Sequence, residues 1–499
     1  MKKTLLTVVV ALTMFSCAKE DVSIVEAEQD VLLSREEINA KIENSLKSTG
    51  DFIWTNTDAN TIWSALQHSE NVLTIGYGTS TEEFKKSESS VSIKDALIAL
   101  VEANEEKIGV EKSTEDDVYT DEFINIIDIE VTNRATIETL LTDSRVRYIE
   151  PARYDFTVSN SNAQAKSVLS DSGCGYNSAT LASADYTTVA PGARVPWAFY
   201  KHNIPSAWNY STGAGVTVAV IDTGLSPQQS LMNGSFNDGY SSGRTVEKYG
   251  TFIDSWWSWS SNYDGVNDKC GHGTSMASVA VAPRNNNNLP VGVAYNANLV
   301  SYRGVEDVLI NDYHERKGVA DALTALANRS DVKVISMSLG ALYTVGKIED
   351  AVKYAYSKGK MVIAAAGTST SFTTWYGVVF PASMNETVAV TGVKEGTSYS
   401  KCDTCHSGSK VDFTIQMQRT NGTSNKIPVL SYYNGDADYE GGSSIATATT
   451  AGIAALVWSK NPSWSRAQVL AKMQQASDLY GNKSSEFGYG NIDALKAVQ

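Results

Sequence analysis

The chain has 499 residues, of which 42% are hydrophobic and 19% charged, and its formal net charge is −15. This length exceeds that of one ordinary domain, so we expect two folded units with enough apolar residues for sizeable cores. A strongly negative protein repels a polyanion, so the charge argues against nucleic-acid binding.

The N-terminus has the pattern of an export signal. A basic start at residues 1–3 precedes an apolar run at residues 5–15, which is too short to span a bilayer as a stable helix. Because Ser16 and Cys17 follow, the segment resembles a bacterial lipoprotein signal, which implies removal of residues 1–16 and lipidation of Cys17. An ordinary secretory signal with an incidental cysteine is the alternative. We therefore expect an exported chain in the bacterial cell envelope, anchored to a membrane and in an oxidising compartment.

Four cysteines remain behind the signal, namely Cys174, Cys270, Cys402 and Cys405. An even number in an exported chain is compatible with two disulfides. Cys402 and Cys405 are close enough in sequence to pair with each other, which would leave Cys174 for Cys270. Residues 402–406 also match the Cys-x-x-Cys-His pattern for attachment of a c-type haem, so free thiols, a metal site and a haem site are the alternatives.

The first half of the chain is predicted to contain one small folded unit between two polar segments. Residues 17–50 are polar and acidic and are interpreted as a tether with one short helix. Residues 51–156 are predicted to form a small α/β domain, with strands near residues 72–77, 123–131 and 146–149 and helices near residues 93–108 and 135–142. Residues 157–194, where Ser, Asn and Ala are frequent, are predicted to form a linker that proteases would cut.

Residues 195–499 show continuous apolar runs that alternate with amphipathic helices. Strands are predicted at residues 216–221, 332–337, 361–366 and 387–393, and helices at residues 317–327, 347–358, 444–459 and 466–477. Continuous apolar strands separated by helices are typical of a mostly parallel sheet with helices on both faces. The predicted fold class is therefore α/β, with a smaller α/β domain in front of it.

Three short segments with glycines carry candidate catalytic side chains. Asp222 ends a predicted buried strand, where open parallel sheets place their ligands. His272 and Ser444 each lie at the predicted start of a helix, where oriented backbone N–H groups can stabilise an oxyanion. A serine hydroxyl needs an imidazole that accepts its proton, and the imidazole needs a carboxylate that fixes its tautomer. Each segment alone is most often structural, but the order Asp, His, Ser is that of subtilisin.

These and further segments make residues 195–499 resemble a subtilisin-like serine peptidase (subtilase) domain. Residues 215–224 are similar to the aspartate motif of the family, and residues 488–494 to its last turn. The resemblance implies an endopeptidase that cleaves polypeptides through an acyl-enzyme, with Ser444 as nucleophile, His272 as general base and then acid, and Asp222 as orienting carboxylate. The two walls of its specificity pocket imply these substrate-binding residues: Ser338, Leu339, Gly340, Ala366 and Gly367.

The resemblance extends to the domain in front. Residues 144–151 are similar to the end of a subtilase propeptide, which implies that residues 51–156 chaperone folding and inhibit the enzyme. The alternative is an unrelated accessory domain. Calcium is implied by the family alone, because no set of ligands in this chain has a recognisable spacing, and we assign no metal site.

One departure from the family concerns the chemistry. Where the family carries an asparagine that completes the oxyanion hole, this chain has Thr368, whose hydroxyl reaches less far. Loss of that donor lowers the turnover of subtilisin by about 10²–10³-fold. A second hypothesis is therefore a catalytically weak or inactive subtilase-like lipoprotein that acts as a binding protein.

Overall fold

The computed structural model describes residues 31–78, 88–110, 118–121, 123–156, 173–369, 377–420 and 426–499. The predicted signal and Cys17 lie outside the described residues. Within the described part of the chain, no helix is both long and apolar enough to cross a membrane.

The N-terminal domain is built on an antiparallel sheet. Its strands are β1 (Val72–Tyr77), β2 (Val118–Asp121), β3 (Ile126–Glu130) and β4 (Val146–Pro151), and they pair in the order β2-β3-β1-β4. Its helices are Arg35–Thr49, Ala59–Gln67, Glu88–Glu105 and Arg134–Thr142. The predicted α/β character of this domain is confirmed.

The tether predicted over residues 17–50 needs a correction. Helix Arg35–Thr49 lies within it and begins with a capping box between Ser34 and Glu37. Its residues Ile38, Ile42 and Leu46 are buried in the core of the N-terminal domain. Residues four apart lie on one face of a helix, so a segment that is polar on average still buries an apolar stripe.

The linker predicted over residues 157–194 also ends earlier than residue 194. Strand β5 (Tyr186–Val189) pairs with β6 (Ala193–Pro196) in an antiparallel hairpin, and Leu181 is buried in the core of the C-terminal domain. Because this stretch contains few large apolar residues, the sequence did not indicate the short hairpin that packs on the main domain.

The C-terminal domain is built on a seven-stranded parallel sheet. Its strands are β7 (Thr217–Asp222), β8 (Val246–Gly250), β9 (Asn298–Arg303), β10 (Val332–Met337), β11 (Met361–Ala365), β12 (Thr387–Lys394) and β13 (Phe413–Gln418), in the order β13-β12-β11-β10-β7-β9-β8. Strands β14 (Ile427–Leu430) and β15 (Ala437–Glu440) form a separate antiparallel hairpin. The helices are Trp197–Lys201, Ile204–Ala207, His272–Val281, Tyr313–Ala327, Gly346–Ser357, Gly442–Lys460, Arg466–Gln475 and Ala494–Val498.

Burial on both faces of the sheet explains the continuous apolar runs. In β7, Val218 and Val220 face one core, to which helices His272–Val281 and Gly442–Lys460 contribute. Ala219 and Ile221 face the opposite core. Because successive residues of a strand point to opposite faces, each residue must be apolar when both faces are covered. The predicted parallel sheet with helices on both faces is confirmed.

The two domains meet through a buried polar contact. Asp350 accepts two hydrogen bonds from Arg147, each 2.7 Å long, and one of 3.0 Å from the hydroxyl of Tyr148. The Tyr148 ring lies between two glycines, since a Cβ on Gly76 or on Gly346 would approach it within 2.1 or 2.4 Å. The glycines therefore make room for the ring at the contact.

Candidate active site

Asp222 and His272 form a buried hydrogen-bonded pair. Asp222 ends strand β7 and is 1% exposed, and His272 is the first residue of its helix and is 5% exposed. The Nδ1 atom of His272 lies 2.8 Å from Oδ1 of Asp222. A carboxylate that accepts a proton from Nδ1 leaves Nε2 of the imidazole as the acceptor. The pair therefore has the geometry of a general base, His272, whose orientation is fixed by the carboxylate of Asp222.

The electrostatics of the pair favour the protonated form of the His272 imidazole. Burial lowers the pKa of His272, but the negative charge of Asp222 and the hydrogen bond to it outweigh burial and raise this pKa above its ordinary value of 6.5. His272 therefore binds a proton more readily than an imidazole in water.

A second carboxylate, which the sequence analysis missed, holds the histidine loop. Asp268 accepts hydrogen bonds from the N–H groups of Cys270 (2.9 Å), Gly271 (2.7 Å) and Thr274 (3.0 Å) and from the hydroxyl of Thr223 (2.9 Å). It thereby joins the loop that carries His272 to the residue that follows Asp222. An aspartate four residues before the histidine is the signal that could have revealed it.

Ser444 lies at the start of a helix, as predicted. It is the third residue of helix Gly442–Lys460, where backbone N–H groups have no partner within the helix. Its hydroxyl donates to the carbonyl oxygen of Ser338 at 3.4 Å, and the hydroxyl of Ser338 donates back to the carbonyl oxygen of Ser444 at 3.0 Å. Ser444 and His272 line the same cavity, whose volume is about 510 Å³.

Four of the five residues predicted to bind substrate line this cavity, namely Ser338, Leu339, Gly340 and Gly367. Ala366 is fully buried behind the wall, where its N–H donates to Val390 and its carbonyl accepts from Val379. Ala365 lines the cavity instead. The predicted wall segment therefore borders the cavity, but the residue that faces the cavity is Ala365 and not Ala366.

Thr368 lies at the rim of the cavity and contacts Ser443. The Thr368 hydroxyl accepts from the N–H of Ser443 at 3.2 Å and lies 3.1 Å from the Ser443 hydroxyl, which accepts from the N–H of Gly367 at 3.2 Å. Ser443 is 1% exposed, so its own proton needs a partner inside the protein. When Ser443 donates its proton to the Thr368 oxygen, the buried Ser443 hydroxyl is satisfied. The proton of Thr368 is then available to a group in the cavity.

The four cysteines lie in two disulfides, Cys174–Cys270 and Cys402–Cys405. Cys402 and Cys405 are bonded to each other, so their sulfurs are not thiols that could hold a c-type haem. Burial lowers the pKa of the neighbouring His406 to about 4. Among the described residues, no group of three or more His, Cys, Asp or Glu side chains could hold a metal ion, and we assign no calcium site.

An Asp–His pair at the carboxyl edge of a parallel sheet, with a serine at a helix N-terminus lining the same cavity, is an arrangement typical of serine hydrolases with an α/β fold. The chain matches the model of the subtilase family over residues 213–491, which is more than half of its length. It therefore belongs to the subtilase family and is a subtilisin-like serine endopeptidase.

Sequence similarity to named peptidases supports the same assignment. The chain is 28% identical over 299 residues to thermitase of Thermoactinomyces vulgaris, a match that covers 60% of this chain and 94% of thermitase. It is 29% identical over 312 residues to subtilisin E of Bacillus subtilis (strain 168), which covers 61% of this chain and 71% of subtilisin E. The crystal structure of fervidolysin from Fervidobacterium pennivorans, a keratinolytic enzyme related to subtilisin, is similar with a TM-score of 0.59. That match covers 86% of this chain and 61% of fervidolysin at 17% identity, so it shows the fold alone.

Proposed function

We propose that this chain is an exported, lipid-anchored serine endopeptidase that hydrolyses polypeptides through an acyl-enzyme on Ser444. His272 is the base, Asp222 orients it, and the N-terminal domain is an inhibitory propeptide removed by self-processing. The observation that carries the proposal is the buried 2.8 Å bond between His272 and Asp222 beside a cavity that Ser444 also lines.

The proposed reaction starts when Ser444 exchanges its bond to Ser338 for one to Nε2 of His272. Such bonds often form only with substrate bound. The Ser444 oxygen attacks the substrate carbonyl carbon while its proton moves to Nε2. His272 then gives this proton to the leaving amine, and the acyl group stays on Ser444. A water molecule, deprotonated by His272, attacks the acyl carbon, and His272 returns this proton to the Ser444 oxygen as the ester bond breaks and the acid product leaves. Asp222 stays ionised and stabilises the imidazolium throughout.

The positions of Phe156 and Gly173, which flank residues 157–172, support self-processing. On one side, the ring of Phe156 lies 6.4 Å from that of Tyr343, whose neighbour Leu342 lines the cavity. On the other side, Gly173 lines the same cavity. Gly173 thus lies at the cavity and Phe156 packs next to one of its lining segments, which supports cleavage between them by the chain's own Ser444.

N-terminal sequencing of the purified protein tests the proposal. We expect the wild type to begin within residues 157–173 and Ser444→Ala to retain the N-terminal domain. Ser443→Thr, which keeps a hydroxyl beside Thr368 and leaves Ser444 in place, is the control and should be processed. Retention of the domain in the wild type, or the same new N-terminus in Ser444→Ala, would count against self-processing.

The proposed membrane anchor rests on the signal sequence, and the two disulfides suit export to an oxidising compartment. Growth with an alkyne-labelled fatty acid should label the wild type and leave Cys17→Ser unlabelled. Equal labelling of both would exclude Cys17 as the lipidated residue.

The Thr368 hydroxyl is expected to stabilise the oxyanion together with the N–H of Ser444. Thr368→Val removes this donor at nearly constant volume, so we expect kcat to fall by about 10²-fold with little change in KM. Thr368→Ser keeps the hydroxyl and is the matched control. Steady-state kinetics on a peptide substrate measure both, and an unchanged kcat in Thr368→Val would show that Thr368 is not a donor.

The activity should rise with pH through the pKa of His272. A protonated imidazole cannot accept the Ser444 proton, and Asp222 raises the pKa of His272 above 6.5. The active, neutral form is therefore lost as the pH falls through this raised value. We expect the acid limb of a pH profile of kcat/KM to have its midpoint above 6.5. A midpoint below 6.5 would contradict this.

Asp350→Ala should loosen the contact between the two domains. The substitution removes the carboxylate partner of the largely buried Arg147. Because Arg147 keeps its hydrogen bonds to the carbonyl oxygens of Tyr77, Ile124 and Asn125, we expect a cost no larger than the low end of the range of about 3–5 kcal/mol that is typical of a broken buried pair. Hydrogen exchange of strand β4 in the unprocessed Ser444→Ala chain should then become faster. Asp143→Ala removes a partly exposed pair with Arg145 within the N-terminal domain and is the control, with little change expected.

A further inference from the structure

Residues 173–176, which we name the strap, lie against the catalytic histidine. Gly173 lines the cavity, and a Cβ on it would lie 3.2 Å from Cδ2 of His272 and 3.3 Å from Cγ1 of Val308. Its φ of +93° is in the left-handed region, which favours glycine. The backbone of Gly173 therefore fills the space between the His272 ring and Val308.

Four further contacts hold the strap in this position. Cys174 is bonded to Cys270, two residues before His272, and the N–H of Gly175 donates to the carbonyl oxygen of Cys270 at 2.8 Å. The hydroxyl of Tyr176 donates to the carbonyl oxygen of Lys269, and its ring centre lies 4.2 Å from that of Tyr432. The strap precedes residues 213–491, over which the chain matches the family model.

The direction of the chain identifies which part of a substrate meets the strap. The ring of Phe156 packs on that of Tyr343, whose neighbour Leu342 lines the cavity, so a bond cut after residue 156 has its amino side toward the Leu342 end of the cavity. Val308 belongs to the same end, because its carbonyl oxygen accepts from the N–H of Gly340 at 3.1 Å. The substrate residue on the amino side of the acyl residue therefore passes between His272 and Val308, where Gly173 lies.

We propose that the strap, latched by the Cys174–Cys270 disulfide, determines specificity for this substrate residue and admits glycine in preference to large side chains. The inference rests on the proposed peptidase activity. A side chain larger than glycine has to displace Gly173 or remain outside the space beside His272. Release of the latch should therefore widen the specificity without changing the catalytic residues.

The test compares peptides that differ in this one residue, Gly or Leu, using mature enzyme. We expect the wild type to favour Gly over Leu by about 10²-fold in kcat/KM. Cys174→Ser with Cys270→Ser should lower this ratio at least about tenfold by improving hydrolysis of the Leu peptide. Cys402→Ser with Cys405→Ser removes the other disulfide and is the matched control, in which the ratio should not change.

A second measurement covers the case in which the unlatched variant fails to fold. Folded Cys402→Ser, Cys405→Ser enzyme is treated with a phosphine, which takes oxygen from water to become its oxide while the Cys174–Cys270 bond is reduced to two thiols. The ratio should fall as in the unlatched variant.

The outcomes separate this inference from the proposed function. A wild type that prefers Leu, or an unlatched enzyme whose ratio stays the same, overturns the role of the strap while the peptidase stands. An equal loss for both peptides would mean that the disulfide only holds His272, and this too overturns the inference. If the wild type hydrolyses neither peptide, the proposed function fails and the inference fails with it.

Discussion

His272→Ala is expected to lower kcat by about 10⁶-fold, the size of the loss that follows removal of the nucleophile or the base in subtilisin. In the proposed mechanism Nε2 of His272 accepts the Ser444 proton, because Nδ1 is engaged with Asp222 at 2.8 Å. Without the imidazole the hydroxyl stays protonated and is a poor nucleophile. The oxyanion donors remain, so a small residual rate over water should persist.

A second histidine at the same cavity supplies the control. His406 lines the cavity, but its Nδ1 donates to the carbonyl oxygen of Gly377 and its pKa is about 4. His406→Asn keeps a donor near Gly377 and should retain activity within about tenfold of the wild type. Steady-state hydrolysis measures both variants. More than about 1% of the wild-type rate in His272→Ala would contradict its role as base.

Asp222→Asn is expected to lower kcat by about 10⁴-fold, as the equivalent change does in serine proteases with this triad. The amide presents an N–H to Nδ1 of His272 where the carboxylate presented an acceptor. The imidazole then carries its proton on Nε2, so it cannot accept the proton of Ser444. The loss should appear in kcat rather than in KM, because Asp222 does not line the cavity that receives the substrate.

The same variant changes the pH profile. Burial lowers the pKa of His272, and Asp222 is the largest of the charges that raise it, ahead of Glu440 and Asp268. The acid limb of kcat/KM should therefore move to lower pH in Asp222→Asn. A limb at the wild-type position, or a kcat within about tenfold of wild type, would show that Asp222 does not control the histidine.

The fold was predictable from the sequence, and the three candidate catalytic residues could be singled out, because their signals are local in the chain. Burial on both faces of the sheet makes β7 a continuous apolar run, and each catalytic side chain lies in a short segment that contains glycines. A strand end and two helix starts follow from such segments. These features need no knowledge of distant contacts.

The contacts that refine the site join residues far apart in sequence. The Thr368 hydroxyl lies 3.1 Å from that of Ser443, 75 residues later, and a Cβ on Gly173 would lie 3.2 Å from the ring of His272, 99 residues later. No periodicity or spacing encodes such pairs. The sequence predicts a short helix near Arg35–Thr49 but not its burial. Three large apolar residues among many charged ones have the average composition of a polar tether, although they lie on one face of the helix.

Covalent labelling with a fluorophosphonate probe tests most directly whether His272 and Asp222 activate Ser444. The mature wild type should be labelled, and mass spectrometry of its peptides should place the adduct on Ser444. The label should be lost in Ser444→Ala and kept in Ser443→Ala. A mature wild type that takes up no probe, or an adduct on Ser443, would contradict the account, and the former result would favour the inactive binding protein.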